Sequence, residues 1–274
     1  MRIQTKNTFV RPCALWGMAV ALAGCVQFTS VKDIAKDKPG YLAANFNVET
    51  LPTSLQQKLP AAGSHPLPFK ILKITGTMNG HMGANAYVSD FKSTLVNAKD
   101  SGLVQQLNEV SANGIPSAAS FSLSYLNWYF IKQETTSYFQ QVAPQAIVAH
   151  EIDPTAFDLS KPQEDQNYTV TLTVGTAVQI VNFKTVISTC HTGKYYPAAN
   201  VVAGLQGQAI DLNCEDSKDG ILQGTSRRTL LSEYGVYVMR SSATAAMKFD
   251  WQYTGFEKDG RRESVDPSGH DKAA

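Results

Sequence analysis

Short segments in which apolar and polar residues alternate recur through the second half of this 274-residue chain, and they limit its fold more than any other feature. Phe121, Leu123 and Tyr125 alternate with serines and lead into the aromatic run LNWYFI. Alternation with period two is typical of a β-strand that is buried on one face. The same reasoning predicts further strands over 145–152, 168–174, 177–187, 205–214, 221–227, 234–240 and 247–253. We therefore expect an antiparallel β-rich assembly after residue 119.

The region before residue 119 has a different pattern. The stretch 69–77 (FKILKITGT) alternates as a half-buried strand would. Ser89 or Asp90 can cap a helix through residue 98 and Ser101 can cap a second through residue 110, because apolar residues recur there at helical spacing, namely Leu95, Val96, Leu103, Val104 and Leu107. The sequence therefore predicts an α+β fold, with two early helices followed by an antiparallel β-rich sheet or sandwich and one disulfide.

The first 24 residues have the layout of a secretory signal, with Arg2, Lys6 and Arg11 flanking or preceding an apolar stretch. That stretch is far shorter than the roughly 20 residues that a membrane-spanning helix needs. It ends in LAGC, from Leu22 to Cys25, which resembles the lipobox of bacterial lipoproteins. In that family the cysteine thiol is acylated, the chain is cleaved before it, and the new amino terminus takes a further acyl chain such as palmitate. The alternatives are an ordinary signal peptide and a plain apolar N-terminus.

The resemblance implies a location as well as an anchor. Val26 follows Cys25, and many Gram-negative lipoproteins with no Asp at that place are sorted to the outer membrane. We therefore expect lipid anchoring in the outer membrane, on the periplasmic side. In a Gram-positive cell the same lipobox would place the protein on the outer face of the only membrane.

Cleavage before Cys25 also changes the charge balance. It removes three of the 24 Lys and Arg residues and none of the 23 Asp and Glu residues, so the mature chain is slightly acidic. Without a basic surplus to neutralise phosphates, nucleic-acid binding is disfavoured.

The rest of the chain divides into three regions. Scattered charges and repeated prolines predict that 25–68 is a lipidated N-terminus with a flexible tether. Residues 69–256 form the predicted α+β periplasmic domain, with an alternative division into two subdomains near 155–166. The charged stretch 257–274 is expected to fray.

The four cysteines are expected to have different fates if the chain is exported. Cys13 leaves with the signal and Cys25 takes the lipid, so Cys190 and Cys214 remain as an even pair in an exported protein. We expect them to form a disulfide. The alternatives are two reduced, buried cysteines and a metal site that also uses His191, which is disfavoured because neighbouring strand residues point to opposite faces.

No common catalytic signature is present, since the chain has no GxSxG, Walker loop, HExxH or GxGxxG motif. Ser89 and Lys92 match SxxK, but Ser89 reads better as a helix cap. His150, Glu151 and Asp153 could supply a base and an orienting carboxylate, and a solvated strand end is the simpler interpretation. The calcium-loop pattern fails for the acidic group Asp211, Glu215, Asp216 and Asp219.

Three residues are better candidates for a binding surface. Tyr195 and Tyr196 lie inside the predicted disulfide loop, where tyrosines would be held ready for contact. His81 lies in a glycine-rich segment that a ligand could approach, although a plain turn histidine is the simpler interpretation. We expect core packing from the aromatic cluster Tyr125, Trp128, Tyr129 and Phe130.

These observations lead to one functional hypothesis and one alternative. The first is a non-enzymatic envelope component that binds or assembles with another envelope protein, with no catalytic residues, metal or cofactor. The second is a membrane-tethered hydrolase acting on cell-wall or lipid substrate. A concave site with converging carboxylates, histidines or a serine would favour the hydrolase.

Overall fold

The computed structural model describes residues 29–264, and its main element is one antiparallel sheet that closes on itself. Each strand pairs with the next along the chain, and β1 also pairs with β12 from Leu72↔Lys258 to Met82↔Met247. A short last strand, β13, continues beside β12. The strands are β1 (Ile71–Met82), β2 (Asn85–Asn97), β3 (Leu103–Ala112), β4 (Ile115–Tyr125), β5 (Tyr129–Ser137), β6 (Ile147–Ile152), β7 (Asn167–Thr176), β8 (Lys184–Pro197), β9 (Gln208–Lys218), β10 (Ile221–Leu231), β11 (Val236–Thr244), β12 (Met247–Lys258) and β13 (Arg261–Arg262).

The fold is therefore a closed β-barrel with a few short helices, and the predicted α+β class is wrong. The two helices expected early in the chain are β2 and β3, which pair with each other from Asp90↔Ser111 to Asn97↔Val104. Along β2 the residues that face the barrel interior alternate between apolar and small polar types, and all are buried, namely Ser89, Phe91, Ser93 and Leu95. Because serine is polar, serines at inward positions interrupt the alternation of apolar and polar residues that would predict a strand.

The apolar doublet in β3 explains the false helical spacing. Leu103 and Val104 point to opposite faces of the sheet, yet both are almost fully buried. The interior covers one face, and the N-terminal helices cover the other. A strand that is buried on both faces carries adjacent apolar residues, which local periodicity does not distinguish from a helix.

Turn chemistry sets several of the hairpins. Asn113–Gly114, Asp219–Gly220 and Asp259–Gly260 all have positive φ at both residues. Two-residue turns of this kind match the twist of the strands that they join. Asp219 and Gly220 join β9 to β10 in this way.

The segment predicted to be a flexible tether is packed against the barrel from residue 30 onwards. It forms α1 (Val31–Lys36), α2 (Lys38–Asn45), a 3₁₀ turn (Val48–Thr50) and α3 (Thr53–Gln56) on the outer face of the sheet around β3–β6. Ile34, Phe46 and Leu55 are almost completely buried. The Phe46 ring stacks on Phe121 of β4 at 5.8 Å between centroids. These side chains extend the core beyond the barrel.

The alternative division near 155–166 does not separate two bodies, because β6 and β7 on either side of it pair with each other. A 3₁₀ helix, Pro154–Ser160, connects them. The predicted frayed tail begins inside β12, and its part from residue 265 onwards lies outside the described residues, as do the signal segment and Cys25. Among the described residues no helix has the length and apolarity to cross a membrane.

The barrel has two unlike ends. The hairpins β1–β2, β3–β4, β5–β6, β7–β8, β9–β10 and β11–β12 all turn at one end, which we call the tip end. The other connections lie at the opposite, closed end. Trp128 and Tyr237 pack together there, 5.6 Å between centroids, and both are almost fully buried. The Cys190–Cys214 disulfide joins directly opposed residues of β8 and β9, as predicted.

Candidate ligand-binding cavity

A cavity of about 270 Å³ lies inside the barrel, above the packed closed end. The strands β2–β5 give it a polar wall of amides and hydroxyls, formed by Ser93, Gln106, Asn108, Ser120, Ser122 and Gln133. The apolar and mainly aromatic part of the lining comes from β1, β11 and β12, with one ring each from β2 and β5: Ile74, Val238, Met239, Trp251, Tyr253, Phe91 and Phe130. Asn127, Arg228 and Tyr237 complete the lining. A barrel of twelve strands leaves such space because its diameter exceeds that of eight-stranded barrels, whose interiors side chains can fill.

The polar wall is partly ordered by its own hydrogen bonds. Gln106 Nε2 donates to Ser93 Oγ at 2.7 Å, and Ser122 Oγ donates to Gln106 Oε1 at 3.4 Å. Ser120 and Thr135 share a hydroxyl contact of 2.8 Å on the same interior face, nearer the tip end. That pair is exposed, so the interior is open to solvent toward the tips.

Among the described residues that line this cavity, Arg228 is the one with a charged side chain. A register shift between Arg227 and Arg228 of β10 marks a bulge, and bulges re-aim side chains. Arg227 is exposed, whereas Arg228 lies inside. Its Nη1 donates to the Trp128 carbonyl oxygen, but its buried Nε has no hydrogen-bond partner among the described residues.

The guanidinium of Arg228 also lacks a carboxylate at ion-pair distance among the described residues. No carboxylate in the described part of the chain forms an ion pair with Arg228; Asp216 acts on it only from a longer distance. Burial lowers the pKa of Arg228, and the Asp216 charge partly opposes that shift. An arginine nevertheless stays protonated in proteins. A buried cation without a counterion is costly, and an anionic ligand would relieve that cost.

Asn127 places an unused acceptor in the same lining. It lies in the β4–β5 turn with φ of 57°, a left-handed conformation that asparagine tolerates better than most residues. Its Nδ2 donates to the Tyr237 carbonyl at 2.9 Å, while its buried Oδ1 has no partner within residues 29–264. The lining therefore contains a cation and an amide that each keep one polar atom without a hydrogen-bond partner among the described residues, beside several aromatic side chains.

The tyrosines expected to form a binding surface are bound into the fold instead. The hydroxyl of Tyr195 donates to the Pro162 carbonyl at 2.8 Å, and the hydroxyl of Tyr196 donates to Asp211 Oδ1 at 2.7 Å. Burial and the hydrogen bond to Asp211 raise the pKa of Tyr196 to about 12. Both rings pack against the core, and neither lines the cavity.

The histidine and serine candidates do not converge. His81 is exposed on β1 near the tip end, opposite Ala86. Ser89 and Lys92 lie three residues apart in a strand, so they point to opposite faces and do not form a nucleophile pair. His150 stacks on Phe183 at 4.1 Å, and its Nε2 lies 3.2 Å from the Thr176 carbonyl oxygen.

The acidic candidates are held apart in separate structural roles. Asp211 accepts from Tyr196 and Thr229, and Asp216 accepts from Ser188 and Ser226. Asp219 accepts the Thr185 amide at 3.0 Å beside Lys184. Glu151 and Asp153 lie outside the cavity lining too. Within residues 29–264 no cluster of three or more His, Cys, Asp or Glu side chains could hold a metal ion.

The sequence reasoning missed Arg228 and Asn127. The pair Arg227–Arg228 at the end of the predicted strand 221–227 was one available signal, because a strand one residue longer would point one of the two inward. Which of them points inward depends on the bulge, and the bulge has no clear local signature. The exposure of Arg228 to an interior cavity depends on barrel closure.

Comparison with known proteins identifies no family. No protein-family model matches the chain, and no curated protein matches it. Among solved structures, it is similar to a beta-barrel-like protein of a domain of unknown function, DUF1849, from Brucella abortus. The two are 11% identical with a TM-score of 0.39, over 70% of this chain and 99% of the other.

Proposed function

We propose that this chain is a lipid-anchored envelope protein whose barrel binds a small amphipathic anion without transforming it. The observation that carries the proposal is the guanidinium of Arg228, which lines a cavity with aromatic side chains and forms no ion pair within residues 29–264. A carboxylate, phosphate or sulfonate would accept from Arg228 Nε, and charge-assisted hydrogen bonds of this kind are about twice as strong as neutral ones.

Further features of the lining limit the kinds of ligand that would fit the cavity. Asn127 Oδ1 would accept a hydrogen bond from a hydroxyl, amide or ammonium group of the ligand. The rings of Trp251 and Phe91 would pack against an apolar ring or a short alkyl chain of the ligand. The cavity lies at the small end of ligand sites, which begin at about 300 Å³, so it suits a small molecule or one part of a larger amphiphile.

The lining favours binding over hydrolysis. Ser93, Ser120 and Ser122 supply hydroxyls, but no histidine, Asp or Glu lies among the described residues that line the cavity. A serine nucleophile needs an adjacent base to become reactive. The absence of such a base beside these three serines is what makes binding the better proposal.

The proposed cellular location of the protein rests on the lipobox. Acylation of Cys25 would hold the barrel at the outer membrane, with the periplasmic side as the favoured location. An envelope protein partner that supplies or receives the anion belongs to the same proposal. Two or more acyl chains would make the anchoring stable, because a single chain binds only reversibly.

A pair of matched dyes tests the anion site. The exported chain is made water-soluble by Cys25→Ala behind an ordinary signal peptide, and it is titrated with anilinonaphthalene sulfonate and with uncharged N-phenyl-1-naphthylamine. We expect the sulfonate to bind about tenfold to a hundredfold more tightly, since a hydrogen bond to a charged group is worth about 1.5–3 kcal/mol.

Arg228→Met should abolish that anion preference while leaving the neutral dye bound. Arg227→Met is the matched control, because it makes the same change at the neighbouring, exposed residue. An anion preference that survives in Arg228→Met, in a protein that melts as the wild type does, would refute the proposed site.

A further inference from the structure

The tip end of the barrel carries an unusual number of exposed apolar side chains. Ile180 is 85% accessible and Phe139 is 82% accessible. They belong to a set that lies in or beside five of the connections at this end, which we call the apolar rim: Met82, Ile115, Phe139, Ile180, Ile221 and Leu222. At the closed end, Ile71 is the exposed large hydrophobic residue in the described part of the chain. Large exposed apolar surfaces mark interaction sites.

The described chain also begins at the tip end. Val31 N donates to the Gln141 carbonyl at 3.1 Å, and Ala143 N donates to the Thr29 carbonyl at 3.1 Å. Both contacts join the N-terminal segment to the β5–β6 connection, which also carries Phe139. Four residue steps separate Cys25 from Thr29, and even a fully extended chain would cover only about 14 Å over that distance.

We infer that the apolar rim rests on the lipid surface in which Cys25 is anchored, with its side chains in the boundary between headgroups and acyl chains. This inference rests on the acylation of Cys25 proposed above. A tether of this length keeps the tip end close to the bilayer, whereas the closed end stands a barrel length away. Apolar side chains on amphipathic surfaces bury about 5–10 Å into that boundary.

Exposed charges of both signs lie near the rim, since Lys32 of α1 and Lys218 beside the β9–β10 turn are followed in sequence by exposed Asp33 and Asp219. Contact of the rim with lipid therefore rests on its apolar side chains rather than on charge. Because the barrel interior opens toward the tips, the same orientation would present the cavity to amphiphiles in the membrane.

Depth-dependent quenching tests the orientation. The full chain is expressed so that the cell processes it, and it is then reconstituted into phosphatidylcholine–phosphatidylglycerol vesicles. Single cysteines at the rim, Ile180→Cys or Ile221→Cys, carry a nitrobenzoxadiazole dye, and Ile71→Cys at the closed end is the matched control. We expect quenching by lipid-borne spin labels to be several-fold stronger at either rim position than at residue 71.

The possible failures are distinguishable. If labelled palmitate enters the protein and it floats with the vesicles, but the rim dyes are not quenched, the rim inference is wrong and the anchor stands. Rim dyes that are already shielded without vesicles, together with crosslinks between copies, would assign the rim to a second copy and overturn the inference. If no palmitate is incorporated, the anchor proposal fails; quenching after adding the same labelled chain to preformed vesicles would still support the rim, and no quenching would overturn it.

Discussion

Replacement of Phe46 by alanine should destabilise the whole protein, because the N-terminal segment is part of the core. Phe46 has no accessible surface, stacks on Phe121 at 5.8 Å and meets Tyr41 edge-on at 6.1 Å. The ammonium group of Lys132 lies 5.4 Å from its ring centroid. Truncation would remove all three ring contacts and leave a void between α2 and the barrel.

The expected loss in the free energy of unfolding is about 3–5 kcal/mol, the usual cost of a buried Phe→Ala change. For a chain of this size, each kcal/mol lowers the melting temperature by about 2–4 °C, so the shift should be near 10 °C. Urea denaturation followed by circular dichroism measures the free energy, and a melting curve gives the temperature.

Phe139→Ala is the matched control, because that ring is 82% accessible and its removal should change stability by less than about 0.5 kcal/mol. If Phe46→Ala were as mild as the control, the segment before residue 69 would behave as the flexible tether that its prolines suggest. That result would refute the packing of α1–α3 on the barrel.

Three further predictions concern the disulfide, the buried Glu134 and the interior residue Ser89. Reduction of Cys190–Cys214, which are 24 residues apart, should cost about 3 kcal/mol of stability, measured by denaturation with and without reductant; an unchanged midpoint would contradict it. Burial raises the pKa of Glu134 above its ordinary 4.5, so the folded state holds the proton more tightly and stability should fall as pH rises from about 4.5 through the raised pKa. Glu134→Gln should flatten that fall, whereas exposed Glu215→Gln should not. Ser89→Ala should leave ligand binding unchanged in the dye titration, since Ser89 does not line the cavity.

Much of the β structure was open to prediction, and the barrel was not. The alternation at Phe121, Leu123 and Tyr125 correctly predicts β4, because its apolar residues share one face and its serines the other, although the fold buries both faces over residues 121–125. Closure depends on β1 pairing with β12, from Leu72↔Lys258 onwards, and no local pattern reports a contact between residues so distant in sequence. The early strands were mistaken for helices because inward serines and the Leu103–Val104 doublet obscure the period of two.

The candidate site was harder to predict from the sequence than the fold. Two of its key residues, Arg228 and Asn127, depend on backbone features that only the folded chain defines, a bulge in β10 and a left-handed turn after β4. The disulfide was predictable because cysteine counting needs only the expectation, drawn from the first 24 residues, that the chain is exported. Tyr195 and Tyr196 were plausible surface residues on the same reasoning, but the connection after β6 covers one and Asp211 holds the other.

The Nε–H group of Arg228, which has no hydrogen-bond partner within residues 29–264, gives the most direct test of the account. In a nitrogen-15 correlation spectrum of the soluble barrel, its signal is identified by its loss in Arg228→Met and its presence in Arg227→Met. We predict that this signal shifts when anilinonaphthalene sulfonate is added, and that uncharged N-phenyl-1-naphthylamine leaves it nearly unmoved. A sulfonate that binds the barrel while the Arg228 Nε–H signal stays unchanged would contradict the central claim that this guanidinium recognises an anion.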